Sequence, residues 1–340
     1  MRHIAPALAV FIFCASVTAA NINVTYNINT EVSRSPISKY IYGSNTYGNA
    51  NYTIVRSGGN RLTAYNWENN YSNAGADYGP YNNDNYMVWS QPGIPSGQYL
   101  VPGKAITYFR DRCIADQQDS IVTLQMAGYV SADGSGLVTL PGQAAPSSRF
   151  KKVVFAKGSA FTLNPVTTDA NVYMDEFVNF LVNSYGRAGT TNGIKFYCMD
   201  NEPDIWSDGA WGATHPEVHP ADPCCVELKD KTVALATAIK NVDPNAQLLG
   251  PVSYGFSGFK TFQGASDWAP PLSTGYSWFL DYYLDKMEAN SVAAGKRLLD
   301  VLDVHWYPEA RDGSYPAIDG NRITDTPSVY SAANCNARMQ

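Results

Sequence analysis

Short apolar runs alternate with helix-like segments along most of the chain. The runs are almost continuously apolar, as in strands of a parallel sheet buried on both faces. They occupy residues 39–46, 53–56, 120–133, 194–203, 247–255 and 298–310. Segments with apolar residues at helical spacing lie between them, at residues 104–117, 172–186, 227–244 and 277–297. This repeated order of strand, loop, helix and strand predicts an α/β fold.

The pattern favours a (β/α)₈ TIM-type barrel, in which polar residues that follow the strands form the functional site. About six βα units are visible, too few to close such a barrel. The alternating segment INVTYNINT predicts a strand with one wet face. We therefore assign residues 21–36 to an accessory β-domain and residues 37–340 to an incomplete barrel. Residues 71–100, rich in Asn, Gly, Pro and Tyr, are predicted to form a long surface loop.

The first twenty residues, MRHIAPALAVFIFCASVTAA, are excluded from the predicted fold. A basic start, a short apolar stretch and a run of small residues have the layout of a secretory signal peptide. A buried N-terminal helix is the alternative. Later stretches fall short of the roughly 18 apolar residues that a membrane helix needs. We expect a secreted protein that does not enter the membrane.

Composition adds a ligand class to this picture. Charged residues make up 16% and aromatic residues 13% of the chain, with 23 Tyr and 7 Trp. Aromatic rings stack on the apolar faces of sugars, and amides hydrogen-bond sugar hydroxyls. The composition therefore favours a protein that binds a neutral polyhydroxylated ligand over a secreted protein whose aromatic residues only form its core. The net charge of −6 and the lack of basic runs argue against nucleic acid or anionic membrane as a partner. We expect a monomer.

Cysteines and one histidine-rich loop raise the question of cross-links and metals. Five cysteines lie beyond the proposed signal peptide, which leaves one or two disulfides open without assigning them. The loop THPEVHPADPCC, residues 214–225, contains potential zinc or calcium ligands. It lacks helical H-E-x-x-H and C-x-x-C spacing, so a rigid loop is preferred over a metal site. No cofactor is expected, although structural calcium is left open.

One acidic cluster, Asp200 to Asp204 in the segment IKFYCMDNEPDIW, directly follows a predicted strand. Glycosidic bond cleavage uses two carboxyl groups, which a barrel supplies from the ends of different strands. Glu202 is the first candidate, and Pro203 after it is expected to hold Glu202 in an extended conformation. An ordinary solvated glutamate in a loop is the alternative.

Other polar and aromatic residues follow predicted strands at the same edge. The candidate ligands of sugar hydroxyls are Asn45, Asn60, Asn66 and Asn201. The candidate stacking platforms, each of which could instead belong to the core, are Trp67, Trp206, Trp306 and Tyr307. His305 is expected to orient a carboxylate or bind a hydroxyl. Glu68 and Asp200 are expected to act as hydrogen-bonding or pKa-tuning carboxylates.

Several of these segments together resemble glycoside hydrolase family 44, the endo-β-1,4-glucanases that cut cellulose and xyloglucan. The resemblance runs from about Ile22 to Arg311 and is carried by SKYIYGSN, RSGGNRLTAYNWENNYSNAG, DNEPDIW, THPEVHP, AIKNVDPNAQLLGPVSYGF, WFLDYYLDKM and RLLDVLDVHWYPEAR. It implies a (β/α)₈ barrel with a small β-domain, and hydrolysis that retains the anomeric configuration. Glu202 matches the acid/base glutamate of the DNEP motif.

The resemblance also implies a nucleophilic glutamate in a "TEY"-type motif after the seventh barrel strand, and this sequence contains no such motif. We therefore expect a C-terminally truncated chain, with Glu309 as the internal substitute to consider. The implied partner is a β-1,4-linked glucan. Two alternatives stay open: a fragment that only binds β-glucan, and another endo-β-glycosidase such as a xylanase or mannanase.

Overall fold

The computed structural model describes residues 25–45, 51–76, 81–91, 93–207, 214–305, 310–311 and 338–339. The chain divides into two compact units, one formed by Ile37–Trp306 and the other by Met1–Pro36 together with Tyr307–Gln340. The strands in chain order are β1 (Gly43–Ser44), β2 (Ile54–Ser57), β3 (Tyr71–Asn73), β4 (Asn82–Asn85), β5 (Asp119–Leu124), β6 (Tyr129–Ser131), β7 (Gly136–Leu137), β8 (Phe150–Val154), β9 (Asn171–Tyr173), β10 (Phe196–Met199), β11 (Gln247–Ser253), β12 (Val301–Val304), β13 (Ala310–Arg311) and β14 (Arg338–Met339).

Six of these strands form one parallel sheet, in the order β1-β2-β5-β10-β11-β12. Each of the six apolar runs in the sequence supplies one of its strands, in agreement with the prediction. The sheet curls into part of a barrel, so the (β/α) barrel class is confirmed. The register between β10 and its neighbours is regular, with Cys198 opposite Thr123 of β5 and Leu249 of β11.

Successive residues of β2 point to opposite faces of the sheet and are buried in different clusters. Val55 belongs to the large core that the helices cover. Ile54 packs on the other face with Phe196 and Leu249. Arg56 is the next residue on that second face, one layer nearer the carboxyl ends of the strands. The barrel interior is therefore apolar at depth and becomes polar toward the edge that carries the candidate site.

Seven α-helices accompany the strands in the described part of the chain: α1 (Asn60–Thr63), α2 (Tyr86–Ser90), α3 (Lys104–Ala115), α4 (Met174–Tyr185), α5 (Cys225–Val242), α6 (Phe256–Thr261) and α7 (Phe279–Ala294). The four longest correspond to the four segments with helical spacing. Each buries an apolar stripe in the large core, for example Phe177 and Leu181 of α4. Gly186, with φ of 86°, ends α4 where the sequence predicts a stop.

Residues 71–100 differ from the predicted surface loop. They contain β3, β4, α2 and the 3₁₀-helix Ser96–Gln98, and β3, β4 and β7 form a small antiparallel sheet. Asn73, Asn83 and Asn85 of this sheet are buried, and their side chains hydrogen-bond one another or the backbone; Asn73 Nδ2 donates to Asn83 Oδ1 at 2.8 Å. A polar composition therefore does not make this segment a loop.

The strand predicted over residues 22–30 is not observed where the structure describes it. Residues 25–30 are irregular and exposed. In the same unit, β13 and β14 pair antiparallel, with Ala310 opposite Met339.

Three further strands of the larger unit, β6, β8 and β9, form a separate small sheet. Among the described residues, no helix combines the length and the apolar character needed to cross a bilayer.

Candidate active site

Glu202 lies in a tight turn just after β10. The backbone is left-handed at Asp200, with φ of 68°, and at Glu202, with φ of 46° and ψ of 56°. The predicted extended conformation at Glu202 is therefore wrong. Pro203 disfavours only the right-handed helical region for the residue before it, and the left-handed region also satisfies that restriction. Pro203 then begins the 3₁₀-helix Pro203–Ile205.

The Asp200 carboxylate holds this turn in place. It is fully buried and accepts hydrogen bonds from the backbone N–H groups of Ala127 at 2.8 Å, Asn201 at 2.8 Å and Met126. Burial nevertheless raises the pKa of Asp200, because it outweighs the effect of these donors. Asp200 thus joins the ends of β5 and β10 immediately before Glu202.

Glu202 and His305 meet at the edge of the sheet. His305 Nδ1 lies 2.7 Å from Glu202 Oε1, and both side chains are 16% exposed. The Glu202 N–H donates to the carbonyl of Val252, and the His305 N–H donates to the carbonyl of Ser253. The end of β11 therefore anchors both residues. A carboxyl group that is partly open to solvent and oriented by an imidazole suits proton transfer to a bound substrate.

Arg56 on β2 contacts Asn201, the residue before Glu202, from inside the barrel. Its Nη2 donates to Asn201 Oδ1 at 2.9 Å and lies 3.8 Å from Cys198 Sγ. Burial lowers the pKa of Arg56, but Cys198, Asp303 and Glu202 outweigh it and keep that pKa raised. The sequence analysis missed Arg56. A single charge at an inward position of the apolar run TIVR was the available signal, since a buried charge requires partners.

The Trp206 side chain is buried against the turn formed by Asp200 to Asp204 and does not offer a surface on which a sugar could stack. It is 1% exposed, and its Nε1 donates to the Asn201 carbonyl at 3.0 Å. Lys231 Nζ and the His219 ring lie 5.2 Å from its ring. A ring enclosed in this way has no free face for a sugar, so the stacking prediction is corrected for Trp206. Trp206 therefore has a structural role and holds the backbone at Asn201.

Trp67, Asn66 and Glu68 are also built into the fold. Trp67 is fully buried and stacks on Phe177, with ring centroids 5.1 Å apart, so the stacking prediction is corrected here too. Asn66, equally buried, donates to the Ser131 carbonyl at 2.9 Å, which leaves it unsuited to a sugar hydroxyl. Glu68 is 1% exposed and pairs with Lys151 at 2.5 Å. Burial raises the pKa of Glu68 to about 7, with Lys151 acting in the opposite direction.

The remaining asparagines differ in setting. Asn60 is half-buried; its side chain donates to the Ala74 carbonyl, and its own carbonyl lies 2.8 Å from His215 Nε2. Asn45 is exposed and lines a cavity of about 340 Å³ together with Arg56 and Gln91. Asn201 is almost fully buried and bonded to Arg56. The candidates Trp306, Tyr307 and Glu309 lie outside the described residues.

Each of the two histidines in the histidine-rich loop pairs with a glutamate. His215 Nδ1 lies 2.7 Å from Glu217 Oε1, and His219 Nε2 lies 3.0 Å from Glu227 Oε1. Burial lowers the pKa of His215, but the Glu217 carboxylate outweighs it and raises that pKa. Across the described residues, no three His, Cys, Asp or Glu side chains gather in a metal-binding group. The four described cysteines (Cys113, Cys198, Cys224 and Cys225) are free thiols.

Comparison with known proteins gives a consistent family. The chain matches the sequence profile "Glycoside hydrolase family 44" over residues 65–310. "Endoglucanase A" of Paenibacillus lautus is 49% identical over 308 residues, covering 90% of this chain and 43% of the relative. "Beta-mannanase/endoglucanase A" of Caldicellulosiruptor saccharolyticus is 47% identical over 319 residues, covering 93% of this chain and 23% of the relative.

Solved structures agree with the sequence relatives. The endoglucanase Cel44A from Clostridium thermocellum superposes with a TM-score of 0.79 at 52% identity, covering 84% of this chain and 55% of that one. A Paenibacillus polymyxa xyloglucanase, solved with xyloglucan, superposes with a TM-score of 0.77 at 49% identity, covering 82% and 53%. The chain thus spans about half or less of the length of these relatives. The profile match covers the chain from β3 to β12, which includes four of the six strands of the parallel sheet and the turn that carries Glu202. The chain belongs to glycoside hydrolase family 44.

Proposed function

We propose that this chain acts on β-1,4-linked glucan, such as cellulose, carboxymethylcellulose or xyloglucan, as an endo-acting hydrolase with Glu202 as its general acid and base. One observation carries the proposal: Glu202 is held at the carboxyl edge of the sheet, partly open to solvent, 2.7 Å from His305. The names of the family relatives, an endoglucanase and a xyloglucanase, support the substrate class.

In the proposed mechanism, Glu202 protonates the leaving glycosidic oxygen while a second carboxylate attacks the anomeric carbon. The covalent glycosyl-enzyme is then opened by water, from which Glu202 takes a proton, so that two inversions give net retention. His305 keeps the Glu202 carboxyl group in one orientation during both steps. Asn201, fixed by Arg56 and Trp206, holds the backbone of the same turn.

The mechanism requires a second carboxylate that acts as the nucleophile. Glu309 is the candidate that this chain itself offers, although the family resemblance implies a glutamate in a motif that this sequence lacks. Glu309→Gln tests that candidate. A nucleophile in a retaining enzyme stands roughly 5 to 5.5 Å from the acid/base carboxyl group.

The surrounding biology is proposed on the same basis. The N-terminal twenty residues have the layout of a signal peptide, which supports secretion. The chemistry needs only two carboxyl groups and water, so no cofactor is invoked, and calcium would have at most a structural place. A soluble or insoluble glucan is the partner, and a monomer suffices for it.

Two other functions remain candidates. The chain could bind β-glucan without cutting it, if a nucleophile is lacking. It could also cut mannan or xylan, a reading favoured by the name of the C. saccharolyticus relative and by a "bifunctional glucanase-xylanase" structure, CelM2, at 26% identity and a TM-score of 0.59.

The test is release of reducing ends by the purified chain from carboxymethylcellulose, xyloglucan, xylan and mannan, beside Glu202→Gln. The proposal predicts release from the two β-glucans and its loss in the variant. Binding to glucan without release in either protein would instead identify a binding protein. Release from xylan or mannan alone would replace the substrate class.

A further inference from the structure

An exposed aromatic pair stands on the segment that follows β11. Phe256, the first residue of α6, is 40% exposed, and Trp278, immediately before α7, is 39% exposed. Their ring centroids lie 5.6 Å apart with the planes at 85°. Trp67 and Trp206 are enclosed in the core, so this pair, which the sequence analysis did not single out, supplies open aromatic surface.

The pair is tied directly to the turn that carries Glu202. The Tyr254 N–H donates to Asp204 Oδ1 at 2.9 Å, two residues before the pair begins. A Cβ atom on Gly258 of α6 would lie 1.9 Å from Asp204 Oδ2, so the helix packs against the acidic turn without an intervening side chain. Phe256 and Asp204 therefore belong to adjoining segments at the carboxyl edge of the sheet.

Edge-to-face packing of Trp278 on Phe256, and of Phe256 on Phe259, orders the two rings before any ligand arrives. Phe256 contacts Phe259, which is 6% exposed, with centroids 6.3 Å apart. The Trp278 N–H donates to Asp281 Oδ2 at 3.0 Å and so begins α7, and the next residue, Phe279, is fully buried. Because side chains already ordered lose little entropy on binding, a rigid pair makes an efficient binding surface.

The chemistry of β-glucan suits an exposed aromatic pair. Lys260 Nζ lies 5.7 Å from the centroid of the Phe256 ring, and an ammonium group there can donate to a sugar hydroxyl. The rings of β-1,4-linked glucose carry their hydroxyls equatorially, which leaves axial C–H groups on both faces for contact with aromatic rings. Hydroxyl groups at the rim of each sugar remain available to solvent and to polar side chains.

We propose that Phe256 and Trp278 form a sugar-binding subsite that holds a glucosyl unit of the β-glucan chain next to the bond presented to Glu202. This rests on the proposed function for the identity of the ligand. The subsite would lie on the β11 side of Glu202, where the glucan continues past the acid/base residue. It would contribute to retention of the polymer and take no part in proton transfer.

The test measures binding separately from hydrolysis. Every protein carries Glu202→Gln, so that the glucan is not cut. Each is run in native gels that contain xyloglucan or hydroxyethylcellulose, and its affinity for cellohexaose is measured separately by titration. Trp278→Ala and Phe256→Ala remove the two rings in turn, and Trp278→Tyr keeps an aromatic face. Leu284→Ala is the matched control, since Leu284 on α7 is also 39% exposed. Thermal unfolding confirms that each variant is folded.

We expect each alanine variant to bind roughly three- to tenfold more weakly, as for the loss of one aromatic contact. Trp278→Tyr should retain most of the affinity, and Leu284→Ala all of it. Folded alanine variants that bind like the parent would overturn the subsite, as would a parent that no β-glucan retards. The proposed function fails separately: loss of binding in Trp278→Ala beside a wild-type chain that releases no sugar would sustain the subsite and refute hydrolysis.

Discussion

His305 Nδ1 lies 2.7 Å from Glu202 Oε1, although β11 separates the two strands that these residues follow. Two consecutive carbonyls at the end of β11, those of Val252 and Ser253, accept the backbone N–H groups of Glu202 and His305. The register between β11 and β12 shifts between Pro251 and Ser253, and Val252 has a left-handed φ of 62°. Such a bulge redirects the chain next to an active site, and here it serves both residues at once.

We infer from this contact that His305 positions the Glu202 carboxyl group. We expect His305→Ala to lower kcat on a soluble β-glucan by roughly ten- to a hundredfold with little change in KM, because a misplaced general acid loses rate and not substrate binding. His305→Gln, which keeps a hydrogen-bonding group, should recover part of the rate. A raised KM at unchanged kcat would place His305 on a sugar hydroxyl instead.

Trp67 is expected to matter for stability and not for sugar binding. Removing a fully buried ring that stacks on Phe177 leaves a large cavity, so Trp67→Ala should cost about 3–5 kcal/mol in the free energy of unfolding measured with urea. Trp278→Ala provides the contrast, since its ring is 39% exposed and its loss should cost little stability. A Trp67→Ala protein with unchanged stability and weakened glucan binding would restore the stacking role.

The Glu68–Lys151 pair gives stability a pH dependence. Burial raises the pKa of Glu68 from 4.5 to about 7, so between these values the folded protein holds a proton that the unfolded chain releases. This stabilisation is complete below about pH 4.5 and is lost as the pH rises through 7. The change is on the order of 1–3 kcal/mol.

Urea unfolding at pH 5 and at pH 8 measures that difference. Glu68→Gln should remove this component of the pH dependence, at the cost of leaving Lys151 buried beside a neutral group. Glu288→Gln, on the exposed surface of α7, should leave the pH dependence as it is. If Glu68→Gln and the wild type show the same change between the two pH values, Glu68 is not the group responsible.

The sequence predicts the frame of this protein better than its surfaces. Six strands and four long helices follow from apolar runs and helical spacing, because burial on both faces of a parallel sheet leaves so clear a pattern. Trp67 and Trp206 show the limit of that reasoning. A tryptophan beside polar residues in a loop has the same one-dimensional signature whether its ring points outward or into the core, and tertiary packing decides which.

Two contacts in the candidate site join residues that are far apart in the sequence. Arg56 and Asn201 are 145 positions apart, and only the pairing of β2, β5 and β10 brings them to 2.9 Å. Likewise, the Glu202–His305 contact spans 103 positions, and the sequence predicts only that His305 orients a carboxylate or binds a hydroxyl. Both contacts arise at the carboxyl edge of the sheet, which is where a barrel is expected to gather its functional residues.

Glu202 as general acid is the central claim, and the leaving group tests it most directly. Hydrolysis by wild type and Glu202→Ala is compared on xyloglucan, whose sugar leaving group needs a proton, and on a dinitrophenyl β-cellotrioside, whose phenolate does not. We predict a loss of about 10² to 10⁴ in kcat on xyloglucan, with glycosyl-enzyme formation on the aryl glycoside far less affected. Equal losses in the rate of glycosyl-enzyme formation on both substrates, or no loss on xyloglucan, would contradict the assignment of Glu202.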